Sequence, residues 1–133
     1  MAIKNLVPLT TLVTANEQSA ASPITVTTTG TSREYGELAH FSRGIFLLDV
    51  TATAGTLPTL DVIVQGFDTL ANKWRTVITF AQVLGAAVPV TPAAQTANLD
   101  YQLYRTQWTV GGSGGPSFTF TLGCIAHTEE PVL

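Results

Sequence analysis

Few side chains in this sequence can do covalent or acid–base chemistry. The candidates are one cysteine, Cys124, two histidines, His40 and His127, and the carboxylates Asp49, Asp61, Asp68 and Asp100. A nucleophile needs a base within hydrogen-bond reach and a third group to orient that base, and no spacing in the chain sets either histidine beside Cys124 or an activated serine. Cys124 alternates with Phe118, Phe120 and Leu122, the pattern of a small buried hydrophobe rather than a catalytic thiol. His40 and His127 read as surface or rim histidines. Calcium takes roughly six to eight oxygens, but no D-x-D-x-D-G loop gathers the aspartates, which read as solvated carboxylates, Asp61 facing Thr51 with Asp49 diagonal to it. The segment "GGSGG" (111–115) looks like a phosphate cradle only until its context is read. A P-loop continues into a lysine and a helix, and here a strand follows. The reading is non-enzymatic, with no catalytic, cofactor or metal residues.

The elements that carry these residues are strands. "LYRTQWTV" (103–110) and "SFTFTLGC" (117–124) each alternate with period two, so one face of each strand is apolar and the other polar. With the glycine-rich segment as the connection of a β-hairpin, Val110 faces Phe118, Trp108 faces Phe120, Thr106 faces Leu122 and Tyr104 faces Cys124. "GIFLLDVTA" (44–52) and "TLDVIVQGF" (59–67) repeat the logic around the turn-like "TAGTLP", pairing Val50 with Val62 and Leu48 with Val64. "WRTVITF" (74–80) is a third clear strand; "LTTLVTA" (9–15) and "PITVTTT" (23–29) are weaker ones, and the prolines of "AAVPVTPAA" (86–94) confine it to an edge. No stretch has helical period, although 32–42 can hold a short turn. The predicted fold is all-β, a β-sandwich of jelly-roll or immunoglobulin-like topology with six to eight short antiparallel strands. Its predicted core face is Phe46, Leu48, Val50, Leu60, Val62, Val64, Ile78, Tyr104, Trp108, Val110, Phe118, Phe120 and Leu122.

Composition narrows the partners. Charged residues make up 11% of the 133 positions, against about 25% in ordinary soluble domains, while threonine supplies 22, so hydroxyls and small residues must coat the surface. A net charge of −3 without a basic stripe excludes a nucleic-acid grip, which needs clustered Lys and Arg. The longest uncharged run, 76–99, is interrupted by Gln82, Pro89, Pro92 and Gln95 and lacks the about 20 consecutive apolar residues of a membrane span. A single cysteine and an N-terminus without a signal-peptide pattern point to synthesis and assembly in a reducing cytoplasm.

Two stretches remain as partner-contact candidates. Residues 1–20 form an apolar N-terminal arm or edge strand preceding the single sandwich domain of 21–133; Ile3, Leu6, Val7, Leu9 and Leu12 need a surface to cover, either a neighbouring copy or another protein. Arg33, Glu34, Glu37 and Arg43 are the densest charges in the chain and suit a contact loop that supplies specificity. Trp74 and Trp108 read as core residues rather than as a sugar-stacking platform.

The run "RGIFLLDVTATAGTLPTLDVIVQGFDTLANKW" (43–74), followed by "WTVGGSGGPSFTFTLG" (108–123), resembles a set of small structural proteins of tailed bacteriophages, described as head decoration, minor capsid or tail-associated proteins. The resemblance implies a virion protein on the capsid surface, assembled in the bacterial host. It implies a decoration (cement) protein that binds and stabilises the head lattice, contacts the major capsid protein or other virion proteins, and forms a homo-oligomer, a trimer. Two alternatives stay open. One is a tail-tube or connector subunit, which would form rings or tubes; the other is a carbohydrate-binding module of a tail fibre or baseplate, with Trp74 or Tyr35 accessible in an aromatic cleft.

Overall fold

Two of the strands are far longer than the alternation predicts. The computed structural model describes residues 2–8, 23–89 and 93–129, and within them β4 (Arg43–Asp68) and β8 (Tyr104–Glu129) each run for 26 residues. A straight strand of that length would span about 85 Å, more than twice the roughly 36 Å across a compact chain of this size. Each must therefore bend. The two lie antiparallel along each other on both sides of the bend, Phe46 opposite Cys124, Leu48 opposite Leu122 and Val50 opposite Phe120 before it, and Leu60 opposite Val110 and Val62 opposite Trp108 after it.

This overturns the two predicted hairpins. Ile45 has Thr96 on one side and Ile125 on the other, and Ile63 has Thr79 and Gln107, so neither arm of β4 has an edge left for its own other arm. Pairing within β8 is excluded in the same way, since β1 (Ala2–Pro8), β2 (Ile24–Val26) and β3 (Gly30–Thr31) occupy the side of β8 away from β4. Burial demands that Phe46, Leu48, Val50, Leu60, Val62 and Val64 turn inward, and either pairing satisfies that demand. The neighbours are chosen by contacts distant in sequence.

The ribbon of β4 and β8 folds over itself into two facing layers. In the first, the early arm of β4 and the late arm of β8 are flanked by β7 (Ala93–Asn98) on one side and by β1 and β2 on the other. In the second, the late arm of β4 and the early arm of β8 are flanked by β5 (Lys73–Thr79) and β6 (Val83–Leu84) and by β3. Every pairing is antiparallel. Phe46, Val50, Val64, Phe118 and Phe120 are fully buried, and the contact of the Phe120 ring with Trp108 of the other arm shows the two layers facing each other across them. The fold is the expected all-β sandwich, with eight strands among the described residues, two of them long rather than short.

The glycines serve the bend, not a loop. Gly55, Gly112, Gly114 and Gly115 have φ of 104°, 112°, 68° and 71°, conformations that L side chains avoid. A Cβ on Gly112 would lie 2.8 Å from Pro58 Cα, and one on Gly55 2.7 Å from Pro116 Cα, so the two backbones cross at the corner closely enough to exclude a side chain.

Of the predicted core face, Trp108 and Val110 are half-buried and the rest are buried. Trp108 stays partly open because only the two-residue β3 covers it, and its Nε1 donates to Thr28 O at 3.1 Å. Its ring still meets Phe120 edge to face at 6.1 Å, from the opposing layer rather than from a paired strand. Trp74 is half-buried outside the core, against the Phe67 ring at 5.2 Å and under the Arg105 guanidinium at 4.2 Å. Tyr35 and Leu38, on and beside a short 3-10 turn (Glu37–His40), are fully buried. They were hidden in the sequence by their charged neighbours.

Candidate interaction surfaces

The residues with reactive groups are not brought together. Cys124 is fully buried and burial pushes its thiol up to about 12, leaving an inert neutral thiol at ordinary pH. His127 lies three residues on, on the opposite face of β8, and His40 is exposed at the end of the 3-10 turn. Asp49 sits opposite Thr121 on the outer face of one layer and Asp61 opposite Thr109 on that of the other, so the two are back to back and not the diagonal neighbours the hairpin register predicts. Asp61 accepts a hydrogen bond from Gln82 Nε2 at 3.0 Å. Asp68 organises the turn after β4: it accepts from the amides of Leu70 and Ala71 at 3.0 and 3.1 Å and from Arg75 Nε, and the Arg75 contact foremost holds its carboxyl below the usual range. Among the described residues no three His, Cys, Asp or Glu side chains are placed to hold a metal.

The charged patch divides. Arg33 and Glu37 form a two-pronged pair, Nη2 to Oε2 at 2.9 Å and Nη1 to Oε1 at 3.3 Å, with the guanidinium 4.3 Å above the buried Tyr35 ring. The hydrogen bond from Arg33 holds the Glu37 carboxyl below its ordinary value. This pair ties the 3-10 turn down over the core. Glu34 and Arg43 are exposed, Arg43 at the start of β4 opposite His127 and Asn98, and both remain open to a partner. Of the arm, Ile3, Leu6 and Val7 lie in β1, opposite Thr128, Ile125 and Cys124, so this part is an edge strand of its own sheet. Leu9, Leu12 and the weak 9–15 strand lie outside the described residues.

Two features of the surface were not read from the sequence. An open cleft of about 280 Å³ lies at the far end of the second layer, lined by Phe67, Leu70, Asp100 and Tyr101 among others. Gly66 lets the Tyr101 ring lie directly against β4, where a Cβ would overlap it. At the opposite end, Leu57 is 85% and Leu84 54% exposed. A signal for Leu57 exists in "TAGTLP": a leucine in a turn-like stretch, out of step with the inward positions 46, 48, 50, 60, 62 and 64. No protein-family model matches the chain, and comparison with curated proteins gives no match.

Proposed function

We propose that the chain is a non-enzymatic structural protein of a tailed-phage particle, a decoration protein that binds the head lattice as a homotrimer in contact with the major capsid protein. One observation carries the reading: the stretches that resemble phage structural proteins, 43–74 and 108–123, coincide with β4, its turn into β5, and the bent middle of β8. The resemblance therefore falls on the bent ribbon at the centre of the fold rather than on a surface loop. A scaffold in which β4 and β8 brace each other along both arms, with threonines such as Thr51, Thr76, Thr79 and Thr109 exposed, suits a part that fills a repeated lattice site. There each copy adds modest affinity and the array multiplies it.

The test is the copy number of this chain in purified virions, measured by quantitative mass spectrometry. Copies in the hundreds, in proportion to the major capsid protein, support the reading; roughly a dozen or fewer, the count of a connector or baseplate ring, refute it. A saccharide-binding module is the second reading, favoured by the cleft that sets Phe67 and Tyr101 beside Asp100. Burial of Tyr35 removes that ring from any stacking role. Chemical-shift changes at Tyr101 on adding host-surface glycans would favour the module.

A further inference from the structure

The outer face of the first layer carries opposite charges at the two ends of one strand segment. Along the early arm of β4 the side chains of Phe46, Leu48 and Val50 are buried, so those of Arg43, Ile45, Leu47 and Asp49 point outward. Arg43 is exposed and the other three are half-buried. On β8, Ile125 lies opposite Ile45 and Gly123 opposite Leu47, and the β7 residues beside this stretch are uncharged. His127 and, in the register of β1, Lys4 fall in the row of Arg43, while Glu129 lies one row further out, past the start of β4. The face thus reads basic, apolar, acidic. Arg43 and Asp49 are six positions apart, about 20 Å along a strand, too far to meet within one chain. Neither has an ion-pair partner among the described residues.

We infer that this face docks on the same face of a second copy, with two Arg43–Asp49 bridges enclosing the apolar strip of Ile45, Leu47 and Ile125. The order Arg43, Ile45, Leu47, Asp49 is its own complement when reversed. A two-fold axis in the plane between the sheets, crossing β4 at Phe46, lays Asp49 of the copy over Arg43 and its Leu47 over Ile45. On β8 the same axis sets Gly123 of the copy, which has no side chain, over the branched Ile125. Charge selects the occupant: a partner of one sign or none leaves an end unmatched, whereas a second copy meets both at once. Stacked sheets lie about 10 Å apart and cross at about 30°, an offset that the long arginine stem spans. Three strands over 43–49 cover about 350 Å², below the roughly 800 Å² per partner of a stable isolated complex, so the contact is weak and reversible. It goes beyond the decoration reading and does not depend on it. A two-fold contact cannot close a ring of three, so within that reading it joins copies of different trimers.

The experiment follows mass against concentration by sedimentation for wild type, Arg43→Asp, Asp49→Arg and an equimolar mixture of the two variants, at about 50 and about 500 mM salt, with melting temperature measured on each. Wild type should double its mass reversibly, and several-fold less readily at high salt. Each variant alone sets like charges opposite each other twice and should need at least about tenfold more protein to double. The mixture pairs Asp at 43 with Arg at 49 on both sides and should recover association close to that of wild type, which also shows that both variants are folded. A mixture no tighter than its components, or variants that double as readily as wild type, would overturn the contact. So would a wild type whose mass does not double up to about 1 mM, a dissociation constant worth only about 4 kcal/mol. If the variants double normally but lose occupancy on undecorated heads of the phage, the face belongs to the capsid shell: the pairing is then overturned and the decoration reading stands. Wild type that doubles as expected but does not bind heads would keep the pairing and sink the decoration reading.

Discussion

Replacing Gly112 by alanine should lower stability by about 4 kcal/mol. The backbone there has φ +112°, a region nearly closed to L residues, which costs about 2 kcal/mol. The added Cβ would lie 2.8 Å from Pro58 Cα and 3.0 Å from the carbonyl oxygens of Leu57 and Thr56, inside the about 3.5 Å of a comfortable contact. All three are backbone atoms pinned where β4 and β8 cross, so relief requires moving the corner, an overpacking cost of about 2 kcal/mol. Gly115 is the control: its φ is +71° but nothing lies within 4 Å of its Cβ position, so Gly115→Ala should carry only the conformational part, about 1–2 kcal/mol. In urea, with a slope of about 2 kcal/mol/M, Gly112→Ala should unfold about 2 M earlier than wild type, and Gly115→Ala less than 1 M earlier. Midpoints within about 0.5 M of each other would refute the reasoning and return 111–115 to the status of a free loop. Deleting 111–115 should likewise abolish folding, whereas a hairpin connection would tolerate shortening.

Phe120→Ala should cost about 3–5 kcal/mol in the same assay, since the ring is fully buried opposite Val50; a loss below about 1 kcal/mol would mean the inward face is misassigned. Cys124 should resist alkylation in the native state at mildly alkaline pH and react fully on unfolding. Because folding raises the Cys124 thiol and the Tyr104 phenol each to about 12 from ordinary values of 9.0 and 10.0, stability should be insensitive to these groups below about pH 9 and fall as pH rises toward 12. Glu37→Gln should cost under about 1 kcal/mol, the range for a partly exposed pair. Its carboxyl is depressed in the fold, so that difference should be fully present above the ordinary carboxylate value of 4.5 and vanish in acid; a difference persisting at low pH would show that the ion pair is not its source.

Period-two alternation determined, by itself, the all-β class and the inward parity of Phe46 through Val64 and of Phe118 through Cys124, because the side of a strand on which a residue falls is a local property of extended backbone. The burial of Cys124 was legible for the same reason. Which strand lies beside which is not local. Val50 could meet Val62 or Phe120 with equal burial, and only the filling of both edges by β1, β2, β3, β5, β6 and β7 decides for the folded ribbon. The glycines at 111–115 are ambiguous in sequence, since positive φ serves a loose loop and a tight corner alike; the 2.8 Å approach at Gly112 makes it a corner. Scarcity of charge was visible in composition, but that Asp61 meets Gln82 rather than Asp49 is decided only when β6 pairs with the late arm of β4. The exposure of Leu57 and its left-handed backbone are likewise products of the corner, a structure that the sequence around it does not build alone.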